Sequence, residues 1–561
     1  MKRLMVIALI AFVALGVFAA GQGEAGGGAD REMTGPLEKY DPPLTVKVWR
    51  SDNNRTYPEG QSLTDNIWTR AIEEELGIVF DYVWIAPNNE MDAKINTTLA
   101  AGDLPDVLTK LNLEQYYNLA RVGRLAPMSE LLETYDVGEI RKYLDYGPGV
   151  TRKMLTIDDE IYGWGRGPEL ANVKPFVARG DWLDAVGRDE MPENIDDIID
   201  LLYEFSEEDP DGNGQDDTYG LLASSAFLGG SAPLETFFAT HEAYPNIWVE
   251  HEGALVYGSI MPETRDALEV LRQLHADGVL SPEWPVFGAW SEAPDEVAQD
   301  KVGAAFAQQW WHNWDGPSAT VVDNPRMRWD HVIPRTQNGE YIKFPLSAQV
   351  QGIVAANADF ANPEALVKLF NLQYQKMRNP ETASGEFHTI RADEGDIGSH
   401  FYWSDFFNRV DIDTNPLLAL DVTEALETGD TSILNPEALV YYDGAVKYLE
   451  AYEAGNPSLA GGAYGAYYGN YMTFGPEGVN TTLAWTMINE QLYQIDAFQS
   501  FPTPAQAAYA GDLRSTRDEF FIQIIVGELG IDEGWEQWLN YWEANGGDVW
   551  AEEVNEWYRE Q

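Results

Sequence analysis

The fold is decided by three consecutive pieces of sequence, LTVKVW at 44–49, IWTRAIEEEL at 67–76 and, after Gly77, IVFDYVWI at 78–85. The first and third are rich in β-branched and aromatic residues, and the second has the periodicity of a helix that Gly77 then stops. Strand, helix, strand in this order is a βαβ unit, whose right-handed crossover generates a parallel sheet. Ligands of such sheets bind outside the carboxyl ends of the strands. That rule points at the residues after the first strand, Ser51, Asp52, Asn53, Asn54 and Arg55.

The alternation continues. Val107-Leu108 reads as a short strand after Pro105, and a helix opens near Asn112, so the loop Lys110 to Asn112 reaches the same sheet edge. Further along, Asn362-Pro363-Glu364 opens a helix whose buried stripe is Leu366, Leu369, Phe370 and Tyr374, and Ile195, Ile198, Ile199 and Leu202 mark another after Pro192. The fold class is α/β. With 561 residues, 44% of them hydrophobic, the chain exceeds what one core organises and divides into two large lobes.

Met1-Lys2-Arg3 followed by the apolar run Leu4 to Phe18 has the charge and length of a secretory signal, and Val17-Phe18-Ala19 suits cleavage after Ala19. The expected order is a signal peptide at 1–19 and a flexible Gly/Glu-rich leader at 20–39. No later stretch has the 18 or more apolar residues that would cross a bilayer, so the expectation is a soluble periplasmic protein. There is no cysteine, which removes disulfides, thiol nucleophiles, thiolate metal sites and a lipid carried on Cys. Asp and Glu number 92 against 36 Lys and Arg, a net charge of −56 that repels nucleic acid and anionic membranes.

Several short strings, each weak alone, occur together in a defined order: Ala101-Gly102-Asp103-Leu104-Pro105-Asp106-Val107, Gly123-Arg124-Leu125-Ala126-Pro127-Met128, Ile161-Tyr162-Gly163, Asp181-Trp182-Leu183 and Asp209-Pro210-Asp211-Gly212-Asn213-Gly214. Lys301 to Phe306 leading to Trp310-Trp311, the Asn362-Pro363-Glu364-Ala365 helix start, and Gly546-Gly547-Asp548 with Glu553 to Tyr558 complete the series. In this pattern the chain resembles the family 1 extracellular solute-binding proteins of ABC importers, in particular their long oligosaccharide-binding branch. The resemblance implies a two-lobed periplasmic-binding-protein fold of type II with the ligand between the lobes. It places lobe one at 40–163 and 331–395 and lobe two at 164–330 and 396–561. It implies a protein without enzymatic activity that delivers a sugar or oligosaccharide to a membrane permease; a monomer bound to no nucleic acid is expected. Many members of the family carry a lipid on an N-terminal Cys, and this chain, having no Cys, departs from them, so no lipid anchor is expected.

The sharpest local signal is the loop Asp209, Asp211, Asn213, Gln215, Asp217, with oxygen donors at alternate positions and Gly214 at the sixth, as in an EF-hand calcium loop. It departs at the twelfth position, where Gly220 replaces the bidentate Glu, so Asp216 or Glu208 would have to complete a structural Ca²⁺ site. An acidic turn without metal is the competing reading. For sugar stacking, aromatic rings on loops facing the cleft are the candidates, because the C–H faces of a pyranose lie flat on them. These are Trp164, the pair Trp310 and Trp311, and Tyr402 with Trp403. Adjacent rings on an extended chain point to opposite sides, so one of Trp310 and Trp311 faces ligand. Asp52, Asn53, Lys110, Asn112 and Arg166 are the polar candidates for the hydroxyls. Rings that only fill the core, and polar groups that only meet solvent, are the competing reading at each position.

The enzymatic alternative is an extracellular glycan hydrolase using paired carboxylates. With 92 acids such pairs arise by abundance, and no Gly-x-Ser-x-Gly elbow, HExxH helix or phosphate loop is present.

Overall fold

A computed structural model of the chain describes residues 35–52, 57, 59–146, 149–168, 173–230, 232–288, 292–313, 315–324, 327–379, 381–387, 414–490 and 492–561. The signal and most of the leader, Asn53, Tyr402 and Trp403 lie outside them.

The βαβ unit read from the sequence is present. Leu44–Asp52 and Ile78–Pro87 are parallel neighbours, Leu44 opposite Ile78 and Asp52 opposite Pro87. Between them Asn66 caps a helical segment, Ile67–Ala71, which widens into a π-helical turn, Ile72–Leu76. Gly77 ends it at φ 65°, and a Cβ there would meet the Tyr40 carbonyl at 2.3 Å, so both conformation and space require glycine. Val107–Leu111 joins the other side of the first strand in parallel. The sheet is completed by Gln351–Ala356 and Gly163–Arg166, both antiparallel to their neighbours.

A second sheet takes the order Trp329–Val332, Phe176–Arg179, Val302–Phe306, Tyr219–Leu221. Each sheet has its own core. The first draws on residues between Tyr40 and Trp164 and between Ala348 and Leu372, including the helix Glu364–Met377. The second draws on residues between Phe176 and Phe306 and between Phe498 and Val554. Each core closes only with residues from two separated stretches of the chain, which is why the chain must return to each lobe. The chain has the two-sheet α/β architecture expected.

The strand register relocates the crossings. Gly163–Arg166 pairs wholly within the first sheet, Arg166 opposite Gln351, so the chain leaves lobe one after Arg166 and not after 163. Trp329–Val332 pairs wholly within the second sheet, so the return begins after Val332 and not at 331. Short strands Phe344–Leu346 and Tyr493–Ile495 pair in parallel between the lobes. There Ile495 and Phe501 pack on the first core, although both fall in the range expected for lobe two.

Candidate functional site

The two sheets present corresponding edges to the crossings. In lobe one the parallel strands end at Asp52, Pro87 and Leu111, and the antiparallel registers bring Gln351 and Arg166 to the same edge. In lobe two, Phe176, Phe306 and Val332 are mutually opposite, with Leu221 at the parallel neighbour's end. The chain leaves lobe one at Arg166, enters lobe two at Phe176, leaves at Val332 and re-enters at Gln351, so the ends of these two crossings lie on the two rims. The carboxyl-end rims therefore converge at the hinge.

Four of the polar residues singled out by sequence sit on the lobe-one rim. Asp52 is the last residue of its strand and half-buried. Lys110 is exposed, adopts φ 56°, and donates from Nζ to Asn88 Oδ1 at 2.7 Å. A non-glycine residue in the left-handed region is uncommon, and such conformations concentrate where a side chain must be aimed. Asn112 is the N-cap of the helix Leu113–Arg121: its Oδ1 accepts from the Gln115 amide at 2.9 Å, while Gln115 Oε1 accepts from the Asn112 amide. Its acceptor is thus committed to the helix. Arg166 is exposed and donates from Nη2 to Gln351 Oε1 at 3.4 Å.

The rings divide differently. Trp164 is 0% exposed, at the centre of the first core, with its ring edge-on to Phe370 at 5.8 Å. Trp311 is also 0% exposed, edge-on to Trp329 at 5.3 Å. Neither has a face to give a sugar, and moving the lobes apart would not release them, because their neighbours belong to their own lobe. The packing explains both positions: Trp164, opposite Val354 on the edge strand Gly163–Arg166, faces the core that the helix Glu364–Met377 covers, and Trp311 begins a tight 3₁₀ turn folded back on the edge strand of the second sheet. Trp310 is half-buried, edge-on to Phe474 at 5.5 Å and 6.4 Å from the Tyr441 ring. Tyr441 itself stacks on Phe474 at 3.9 Å, and Tyr442 is half-buried beside it.

Trp310, Tyr441 and Tyr442 thus form an aromatic shelf that begins where Val302–Phe306 ends. Sequence reasoning missed the two tyrosines, Asn88 and Gln351. Asn88 was reachable by extending the carboxyl-end rule from the first strand to the second. The tyrosines come from the helix Pro436–Glu453, far along the chain, and only packing brings them to Trp310.

Where the lobes meet beside the crossing strands there is a cavity of about 240 Å³, lined by Asn112 and Glu114 of lobe one, Trp248 and Arg514 of lobe two, and Gln349 and Asp496 of the connecting segments. Asp496 accepts from the amides of Trp248 at 3.2 Å and Phe498 at 3.1 Å. Burial nevertheless pushes its carboxyl up to about 7, against the pull of those donors and of Arg514. Outside this cavity's lining, Arg378, just past the lobe-one helix Glu364–Met377, is paired with Glu437 in the first turn of the lobe-two helix Pro436–Glu453, both nearly enclosed.

The Asp209–Asp217 loop lies away from the hinge, between the helix Ile195–Glu207 and the strand Tyr219–Leu221. Asp209 Oδ2 accepts from the Gly214 amide at 3.0 Å, and Asn213 Oδ1 accepts from the Gln215 amide at 2.6 Å. The Asn213 amide group donates to Asp211 Oδ2 at 2.6 Å and Asp217 Oδ1 at 3.1 Å. Burial, then Asp209 and Asp217 beside it, holds the Asp211 carboxyl above its usual range, although the Asn213 amide opposes this. Gly220 cannot be the missing glutamate: a Cβ there would lie 2.2 Å from the Leu202 carbonyl, because the loop runs into a strand and not a second helix. Among the described residues no group of three or more His, Cys, Asp or Glu is assembled to hold a metal. What exists is an amide placed between two carboxylates, where a cation would be the stronger partner.

No protein-family model matches the chain. In sequence it is similar to the lipoprotein LipO of Bacillus subtilis, 29% identical over 238 residues, and to the polygalacturonan/rhamnogalacturonan-binding protein YtcQ of the same organism, 26% identical over 237 residues. Each match covers 42% of this chain and 45% of the relative, so the chain is aligned with less than half of either protein. In structure it is similar over most of its length to the alginate-binding protein AlgQ2 without calcium ion, with TM-score 0.60, 15% identity, and coverage of 93% of this chain and 99% of that one. It is likewise similar to the Streptococcus pneumoniae ABC-transporter substrate-binding protein FusA in complex with kestose, with TM-score 0.59, 18% identity, and coverage of 92% and 99%. FusA as an EF-hand mutant in complex with fructo-nystose matches at TM-score 0.58, 18% identity and the same coverage. The fold is shared with these binding proteins.

Proposed function

We propose that this chain is the extracytoplasmic substrate-binding component of an ABC importer, holding a sugar or oligosaccharide between its lobes and delivering it to a membrane permease without making or breaking a bond. The observation that carries the reading is the convergence of two unlike rims at the hinge. Lobe one offers a row of hydroxyl-binding groups, Asp52, Lys110, Asn88, Gln351 and Arg166, and lobe two offers the shelf of Trp310, Tyr441 and Tyr442. A pyranose has one chemistry on its edge and another on its faces, and such a pair of surfaces meets both. The binding protein names of YtcQ, FusA and AlgQ2 support the same reading.

The chain works outside the cytoplasmic membrane as a monomer, in line with the signal-like residues 1–19. Among the described residues no helix is long and apolar enough to cross a membrane. A structural Ca²⁺ belongs to the reading, held by Asp209, Asp211, Asp217 and, after its amide turns, Asn213, with the Gln215 carbonyl. The crowded carboxylates of the loop support it, as does the EF-hand altered in the FusA mutant.

The test is a thermal-shift screen of mono- and oligosaccharides with Ca²⁺ present, followed by calorimetry and analysis of the recovered sugar. A binder gains about 2.7 kcal/mol at a hundredfold excess over Kd and returns the sugar intact. Loss of the sugar to hydrolysis, or no shift with any saccharide, overturns the proposal.

A further inference from the structure

Lobe two contains a second cavity, about 640 Å³, that the hinge site does not use. Its position follows from the register of the second sheet. Val332 lies opposite Phe176 at the rim, whereas Trp329 lies opposite Arg179 at the other end, and Met327 and Arg328 come before it. The cavity is walled by Arg328 and Asp330 from this remote part of the edge strand, and by tyrosines from the helices Pro436–Glu453 and Tyr464–Phe474 that pack over it.

The lining joins two chemistries. Tyr448 stacks with Tyr452 at 5.6 Å and 27°, and lies 5.3 Å from Tyr471 at 33°, so three rings make a nearly continuous apolar surface. Tyr452 ends this series, and its 57% exposure leaves the outer part of its ring open to solvent at the mouth of the cavity. Facing the rings are polar groups: the Arg328 guanidinium bonded to Asp330 at 2.9 Å, the exposed Glu477, and Thr482, whose Oγ1 lies 3.0 Å from His331 Nε2. A cavity of this size with stacked rings on one side and a few hydrogen-bonding groups on the other suits a small amphipathic ligand. Two carboxylates against one already paired guanidinium, in a chain of net charge −56, select against an anion.

We propose that this tyrosine-walled cavity is a second, weaker site for a neutral sugar unit, separate from the hinge site, which would let lobe two retain a glycan while the lobes open. The proposal rests on the carbohydrate reading above, but the two can fail independently.

The probes are the methyl α- and β-pyranosides of glucose, galactose and mannose, used at millimolar concentration with the full chain, and binding is read by saturation-transfer NMR and by native mass spectrometry. In Trp310→Ala, with the hinge site weakened, at least one pyranoside still binds. Adding Tyr452→Ala to that variant weakens this residual binding about tenfold, the scale of one lost ring contact, and Glu477→Gln changes which pyranoside is preferred. Tyr452→Phe retains the binding, which separates stacking from a folding defect, and Tyr452 is exposed enough that Tyr452→Ala should fold as the parent does. If Trp310→Ala abolishes all pyranoside binding, or Tyr452→Ala leaves the residual binding unchanged, the second site does not exist while the hinge reading stands. If Tyr452→Ala removes all binding and Trp310→Ala none, the cavity is a sugar site and the hinge reading fails. No pyranoside binding by any variant overturns the cavity proposal outright.

Discussion

The hinge ring Trp310 and the core rings Trp164 and Trp311 have different tasks, and substitution separates them. Trp310→Ala removes a half-buried ring of the hinge shelf and should weaken sugar affinity about tenfold with little change in stability. Trp164→Ala leaves a cavity inside the first core, where such truncations cost about 3–5 kcal/mol, so its effect should be a lowered Tm while any remaining folded protein binds normally. Calorimetry and thermal melts on the two variants check the contrast. Asp496 gives a prediction in pH. An ordinary Asp releases its proton near 3.8, and burial at the hinge cavity raises this one to about 7. Between those values the native state holds a proton that the unfolded chain has lost. Stability from this residue is therefore full below about pH 4 and is lost as pH rises through 7. Melts from pH 4 to 8 should show a shallower decline for Asp496→Asn than for the parent chain.

Among the elements, the loop from Asp209 to Asp217 shows how a local motif and its surroundings share the outcome. Its alternating oxygens were visible in the sequence, and the substitution at the twelfth position was too. The reason for that substitution was not: Gly220 sits against the backbone of the helix Ile195–Glu207, where no side chain fits. Adding Ca²⁺ should raise Tm, with EDTA reversing it, and Asp211→Ala should abolish the shift without changing the metal-free Tm by more than a few degrees. A Ca²⁺-independent Tm would remove the ion from the reading. The first βαβ unit was legible for a related reason. Its strands and its stop at Gly77 depend on neighbours within forty residues, so short-range pattern carried the structure.

In the whole molecule, the enclosed pair of Arg378 and Glu437 bridges the lobes outside the hinge cavity's lining. Charges taken from water this way are held by each other, and removing one leaves the other unpaired. Glu437→Gln should therefore shift the unliganded protein toward a more open form in small-angle scattering. It should also weaken sugar binding several-fold through faster dissociation, since the closed state would be less populated. Unchanged scattering and affinity would reduce the pair to surface packing.

By itself the sequence determined the α/β class, the first parallel unit, the polar edge at Asp52, Lys110 and Asn112, and the acidic loop, because each is written in spacings of a few residues; Arg166 reaches that edge only through its register with Gln351. Tertiary structure alone decided which rings are available. Trp164 and Trp311 carry the same local signals as Trp310, yet whether a ring meets solvent depends on what returns to cover it. Phe370 covers Trp164 from about two hundred residues away, Trp329 covers Trp311 across the connection between two strands, and Tyr441 arrives beside Trp310 from more than a hundred residues away. Burial is a property of which segments share a core, and chain order does not encode it at the range over which periodicity can be read.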